Sequence, residues 1–162
     1  MTYPQNIESK IDFQVIRDSL KGCCTSSLGK EKVEQMQWQT DYSSIQMQLQ
    51  YLREMMAVHT DPTLNFPHGE IYDLREALSR IRIEGLFLDE AELFSLSKLL
   101  DYAAQLERFF ATLDKVKYPL LSSNLIASSP NSLIALIERI LDRYGKMRDN
   151  ASPELARNRK EI

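Results

Sequence analysis

The sequence predicts an all-α protein, a bundle of several helices. Three observations carry this. Apolar residues recur at steps of three and four along nearly the whole chain, as in Ile45, Leu49, Leu52 and Met56; that spacing lines one face of a helix. Alternating apolar and polar runs are nearly absent. Ile81-Arg82-Ile83 and the neighbouring Gly85-Leu86-Phe87-Leu88 are the only short candidates for a hairpin or extended link. Helix start and stop residues also fall between the apolar stripes.

Taken in order, Ile11, Val15, Ile16 and Leu20 mark a first helix, with Asp12 as its candidate cap. Leu28, Val33 and Met36 mark a second, after the cap candidates Ser26 and Ser27. The Ile45 to Met56 stripe is a third, followed by a loop with Pro62, Pro67 and Gly69. Leu74, Ala77, Leu78 and Ile81 mark a fourth, with Gly85 as a C-cap.

Asp89 then stands three residues before Glu92, the pattern of a capping box with Asp in place of Ser or Thr. Leu93, Leu96, Leu100, Ala103, Leu106, Phe110 and Leu113 continue the stripe. This helix is expected to reach about Val116, a rod of roughly 40 Å at 1.5 Å per residue, with the apolar face turned to the core. Pro119 and Pro130 bracket a Ser-rich connector, Ser122 to Ser129. Leu133, Ile137, Ile140 and Tyr144, widened by Ile134 and Leu141, form the next face, which Gly145 should end. Ser152-Pro153-Glu154 then combines an N-cap, a first-position proline and an acid suited to the helix dipole. A helix should start there. It is expected to be truncated, since the sequence stops at Ile162 before a third turn is complete, and helices that short are marginal alone. The expected organisation is a helical core over 1–149 and the start of a truncated long helix over 150–162.

Composition excludes several classes. The chain has 162 residues, 43% of them hydrophobic and 27% charged, which suits a soluble globular domain rather than a disordered segment. A net charge of −3 predicts neither a strongly basic nucleic-acid surface nor an acidic tail. Cys23 and Cys24 are the only cysteines, and adjacent cysteines rarely meet disulfide geometry. A disulfide framework is therefore excluded and a reducing compartment expected. Neither a signal-peptide pattern nor an apolar run of membrane-spanning length is present, so the expected location is the cytoplasm, without membrane contact.

The candidate chemistry reads as structure. Gly22-Cys23-Cys24-Thr25-Ser26-Ser27-Leu28-Gly29-Lys30-Glu31 imitates a phosphate-binding loop. That motif requires four residues between its glycines and a hydroxyl after the lysine to hold magnesium. Here six residues intervene and Glu31 follows Lys30, so a helix–turn–helix connection is expected. His59 and His68 match no zinc spacing and read as surface loop residues. Cys23 has no neighbouring histidine to activate it and reads as a small buried or half-buried residue. Asp89, Glu90 and Glu92 satisfy orphan amides at a helix start. Arg75, Arg80 and Arg82, interspersed with Glu76 and Glu84, form a modest basic cluster. Trp38 and Tyr42 are expected to pack the corner between the second and third helices. No catalytic, cofactor-binding or metal-ligating residue emerges. The candidate nucleic-acid contacts are Arg80, Arg82, Arg157, Arg159 and Lys160.

Three stretches carry a family resemblance. The first is Ile11-Asp12-Phe13-Gln14-Val15-Ile16-Arg17-Asp18-Ser19-Leu20, continuing to Leu28-Gly29-Lys30-Glu31. The second runs from Asp73-Leu74-Arg75 through Arg80-Ile81-Arg82-Ile83-Glu84-Gly85 to Leu88-Asp89-Glu90-Ala91-Glu92-Leu93. The third is Asp142-Arg143-Tyr144-Gly145-Lys146-Met147-Arg148-Asp149-Asn150-Ala151-Ser152-Pro153-Glu154-Leu155. In this order and spacing they resemble the N-terminal region of bacterial MutS-like proteins of the second type. That branch resembles the DNA mismatch-repair MutS proteins but lacks their mismatch-reading domains. Tyr3-Pro4-Gln5-Asn6 resembles the Bacteroidetes form.

The resemblance implies a core-and-lever helical architecture, with the helix at Ser152 the first turns of a lever arm. It implies a larger, homodimeric parent with a clamp and an ABC-type ATPase that uses ATP and magnesium, in many members with a C-terminal endonuclease domain. Such proteins bind branched DNA and restrain recombination, or act on collided ribosomes. None of the family's catalytic residues has a counterpart here, so this stretch is expected to be a non-catalytic, stiff core. The alternative expectation is a stand-alone helical protein–protein interaction adaptor.

Overall fold

The computed structural model describes residues 7–123 and 131–158, and all regular structure among them is helical. The helices are α1 (Ile7–Lys10), α2 (Phe13–Cys23), α3 (Ser27–Glu34), α4 (Tyr42–Thr60), α5 (Arg75–Arg80), α6 (Glu90–Thr112), α7 (Pro119–Ser123), α8 (Asn131–Ile140) and α9 (Pro153–Asn158). Leu141 and Met147 form an isolated antiparallel bridge, and Ile81-Arg82-Ile83 lies in turns. The chain divides into two compact units, Met1–Thr60 and Asp61–Ile162. That boundary falls inside the stretch expected as one core, and α9 groups with the second unit.

In the first unit α2 packs on α1 and α3. The Ser26 hydroxyl accepts the Gly29 N–H at 3.1 Å and starts α3 as the sequence requires. The Gly22–Glu31 segment is the expected connection, the end of α2 and most of α3 joined by a turn. Asp12 does not act as the expected cap. It sits in the left-handed region at φ 52° and makes no capping bond, because the chain turns there out of the short α1. Asp41 caps α4 instead, accepting the Ser44 N–H at 2.7 Å. Arg17 ties the unit together: it pairs with Glu8 at 2.9 Å and donates to the Met36 carbonyl at 2.8 Å. Lys21 pairs with Glu34, which raises the lysine's pKa.

The apolar faces of this unit are largely uncovered. No residue of α1, α2 or α3 is buried. Val15 is 68% exposed, and Ile11, Ile16 and Leu20 are exposed with it. On α4 the expected stripe is displaced: Leu49, Leu52 and Met56 are exposed, while Glu54 and Val58 are buried. Trp38 and Tyr42 do not pack a corner; both are exposed, in a segment, 35–42, whose residues are all exposed. Trp38 stands with Ile11, Phe13, Met36 and Ile45 around a groove of about 880 Å³. Cys23 is exposed rather than buried; Cys24 is half-buried, its thiol on the Leu20 carbonyl. His59 lies in the last turn of α4 and His68 in the loop beyond, both exposed.

The second unit is organised around α6. Its start is the full capping box: Asp89 accepts the Glu92 N–H at 2.8 Å and Glu92 accepts the Asp89 N–H at 2.9 Å. The helix spans 23 residues, about 35 Å at 1.5 Å per residue, and ends at Thr112 rather than Val116. The stop is chemical. The Thr112 hydroxyl bonds back to the Phe109 carbonyl, and Asp114 accepts the Val116 and Lys117 N–H groups in a turn that competes with helix.

The α6 helix packs on α7 and α8. The buried apolar residues of this unit are Leu74, Ala77, Ala104, Leu113, Tyr118, Leu121, Ile137 and Leu141. Most of the predicted α6 stripe is half-buried: Leu93, Leu96, Leu100, Leu106 and Phe110, while Ala103 is exposed. The loop after α4 folds onto the far half of α6. Phe66 meets Phe109 edge-on at 5.3 Å, and Gly69 lies so close to Tyr102 that a Cβ would stand 2.3 Å from its ring. Asp61 holds Lys117 at 2.8 Å.

Two glycines expected to end helices act further along. The α5 helix ends at Arg80, and Gly85, at φ 85°, turns the chain after further turns. Likewise α8 ends at Ile140, so Tyr144 and Gly145 belong to the following turn. Pro119 opens the short α7, and most of the Ser-rich connector, 124–130, lies outside the described residues. The Ser152 start is observed: its hydroxyl accepts the Leu155 N–H at 3.1 Å.

Candidate nucleic-acid interface

The expected basic contacts meet different fates. Arg80, at the end of α5, is engaged: it pairs with Glu92, whose same carboxylate oxygen closes the capping box, and it reaches the Phe87 carbonyl. Both bonds come from one terminal nitrogen, so what the pairing removes is charge rather than donors: Glu92 neutralises the guanidinium toward a phosphate. Arg75 forks onto Asp73 at 2.9 and 2.7 Å, which lowers the Asp73 carboxyl to about 2. Arg82 is exposed, with no side-chain partner among the described residues. Arg157 is exposed on α9, and Arg159 and Lys160 lie outside the described residues. Arg80 and Arg82 are neighbours, but α5 and α9 are not a packed pair, so the predicted set is not gathered into one patch.

The structure gathers a different set. A turn after α8 is built by Asp142. Its carboxylate accepts the Tyr144 N–H at 2.8 Å and the Lys146 N–H at 2.9 Å, and its own N–H donates to the Lys146 carbonyl at 2.8 Å. The Lys146 N–H, then the Tyr144 N–H and the charges of Arg148 and Lys146, hold the Asp142 carboxyl below its ordinary pKa. Gly145 is required twice. It stands at φ 80°, and a Cβ there would lie 2.6 Å from the Phe94 ring. The turn thus rests on α6, and Glu90 fastens it by accepting the Met147 N–H.

This docking leaves a cleft of about 750 Å³ between α6, α8 and the turn. Lys98 comes from α6, Arg139 from α8, and Arg143 and Arg148 from the turn. All four are exposed, and none is ion-paired with a carboxylate among the described residues. Asp101, Glu138 and Asp142 line the same cleft. The Arg143 guanidinium lies 4.7 Å over the ring of Tyr144, which is 69% exposed, and Lys98 lies 5.1 Å over Phe94. The sequence held a signal for this set. Phe94, Lys98 and Asp101 share one helix face at steps of four and three, and Arg139 and Arg143 are four apart. It was missed because α8 stops before Arg143, so a turn rather than a helix face brings the arginines in.

No His, Cys, Asp and Glu cluster able to hold a metal occurs among the described residues, and no helix among them is long and apolar enough to cross a membrane.

No family model matches the chain, and no solved structure matches it. Curated relatives do. Endonuclease MutS2 of Bacillus velezensis is 35% identical over 159 residues, covering 93% of this chain and 19% of that protein. Endonuclease MutS2 of Acetivibrio thermocellus is 30% identical over 162 residues, and that of a Geobacillus species 29% over 156; each comparison covers 94% of this chain, and 19% and 20% of the relatives. The chain spans about a fifth of the length of these relatives. Over nearly its whole length, the chain is therefore similar to a segment of proteins named Endonuclease MutS2, the family its three ordered motifs resemble.

Proposed function

We propose that this chain is a non-catalytic helical core of a larger MutS-type ATPase that engages branched DNA and restrains recombination, or acts on collided ribosomes. The observation that carries the reading is similarity over nearly the whole chain to proteins about five times as long and named as endonucleases. The uncovered apolar faces of α2 and α4 support it, since such faces suit contact with further parts of a larger protein. In this reading ATP and magnesium belong to the parent's ATPase. The nuclease activity in the relatives' names likewise belongs outside this segment. The parent is a cytoplasmic homodimer that meets DNA or the ribosome.

The role of the segment is mechanical. The α6 helix, capped at one end and held by α7, α8 and the turn at 141–148, is a stiff strut. It carries nucleotide-driven movement of the ATPase outward as rigid-body motion. The stand-alone adaptor is the less favoured reading, because the similarity is to segments of long proteins.

The test compares the product of the native reading frame with this chain. ATP hydrolysis stimulated by branched DNA or by ribosomes in the longer product, with none in this chain, is expected. A stop codon directly after Ile162, or hydrolysis that tracks this purified chain, would overturn the reading.

A further inference from the structure

We propose that the cleft between α6, α8 and the 141–148 turn binds a nucleotide unit of a single-stranded nucleic acid. The proposal deepens the reading above and rests on it for the choice of a nucleic-acid-handling parent; the site itself is argued from its own chemistry.

The cleft presents Lys98, Arg139, Arg143 and Arg148 from three separate elements. Surface cations so close to carboxylates ordinarily form ion pairs, as Arg75, Arg80 and Lys117 do elsewhere in this unit. Here they do not. The Arg148 Nε–H donates to the Leu141 carbonyl at 2.8 Å, which leaves its remaining N–H groups for a ligand. Arg143 is held over Tyr144, and Lys98 over Phe94. Four separated cations around about 750 Å³ suit a phosphodiester, whose oxygens accept from several directions.

The carboxylates sharpen the class of ligand. A cleft for inorganic phosphate would gain nothing from Asp101 and Glu138. Both accept hydrogen bonds, as a base's exocyclic amine or a sugar hydroxyl requires. Asp142 is already committed to the turn's backbone. Tyr144 adjoins the cleft through Arg143, which covers one face of its ring; at 69% exposed, the ring keeps a second face on which a base stacks. Phosphate donors, base acceptors and a stacking ring together describe a nucleotide. An unstacked base presents those groups to such a cleft, whereas a duplex hides them.

The test is a titration of this chain with a labelled oligodeoxycytidylate of about 12 nucleotides, whose bases carry the exocyclic amine, read by fluorescence anisotropy at several salt concentrations. Lys98→Ala and Arg139→Ala, made separately, are each expected to weaken binding at least about fivefold and to lower the salt slope by roughly one contact. Tyr144→Leu is expected to weaken it about fivefold or more with the slope unchanged, since stacking releases no counterion. Arg82→Ala, outside the cleft, should leave binding as it was.

Inorganic phosphate, deoxycytidine monophosphate and a hairpin duplex are the competitors. The monophosphate should displace the strand better than inorganic phosphate does, and the duplex poorly. Competition by inorganic phosphate equal to that by the monophosphate would reduce the cleft to an anion site and overturn the proposal. So would the absence of oligonucleotide binding, or binding lost in Arg82→Ala and retained in the cleft variants. Unchanged helicity of each variant by circular dichroism separates lost contacts from lost fold. None of these results bears on the ATPase comparison above, so either reading can fail alone.

Discussion

Arg80 binds Glu92 through the carboxylate that closes the capping box of α6, so one side chain both starts the longest helix and ties α5 to it. Glu92→Ala leaves the Asp89 cap bond to the backbone in place and removes the reciprocal half of the box, so it should destabilise the chain by about 0.5 kcal/mol, the low end for a helix cap. The Arg80 pair adds little, because it is partly solvated. Glu92→Gln keeps a group able to accept the Asp89 N–H and should cost clearly less. Thermal melts of the two variants check this; equal losses would show that the charge pair, and not the cap, carries the effect.

Gly145 and Gly85 make a natural comparison. Both have positive φ, but a Cβ at Gly85 meets open space, whereas one at Gly145 meets the Phe94 ring. Gly85→Ala should cost roughly 1 kcal/mol, the backbone penalty alone. Gly145→Ala should cost more, and part of the excess should return in the double variant with Phe94→Ala. Denaturant unfolding measures all three. Equal costs at the two glycines would mean that the turn does not rest on α6.

The burial pattern gives an unusual mutational contrast. Ile137, 3% exposed on α8, should behave as core, and Ile137→Ala should cost about 2–4 kcal/mol. Val15, 68% exposed on a stripe that looks equally apolar in sequence, should tolerate Val15→Ser within about 0.5 kcal/mol. Leu100, half-buried, should fall between. Urea midpoints rank the three, and a large loss at Val15 would contradict the open face of α2.

Acid should weaken the second unit in a definite direction. Arg75 holds the Asp73 carboxyl down at about 2, and backbone N–H groups hold Asp142 below its ordinary value. For a depressed carboxyl the stabilisation is complete above the unfolded pKa of about 4 and is lost as pH falls through the folded one. The melting temperature should therefore decline between about pH 4 and pH 2. Asp73→Asn and Asp142→Asn should each flatten that decline, and an unaltered acid limb in both would remove these groups as its cause.

Three helix starts were legible in the sequence, whereas the start of α2 at Asp12, the ends of α5, α6 and α8, and the cover of the apolar faces were not. Ser26, Asp89 and Ser152 cap where their side chains predict, because a cap is a local bond between residues three apart. The end of α6 was missed because it is set by Thr112 and Asp114, whose competing bonds leave no glycine or proline to read. Apolar periodicity identified α2 as a helix, yet it states only which face needs cover and not whether these residues supply it. The candidate site was legible only in part. Arg80 looked available because Glu92, twelve residues away, gave no sign of reaching it. Arg143 and Arg148 enter the cleft by the Asp142 turn, which periodicity read as more helix.

The central claim, that the exposed helical faces are contact surfaces of a larger protein, is tested most directly by amide hydrogen exchange across α2, Phe13–Cys23. Exchange should be fast in this chain alone and slowed at least about tenfold in the product of the full reading frame, as the faces bearing Val15 and Leu20 are covered. The same exchange rates in both would contradict the claim.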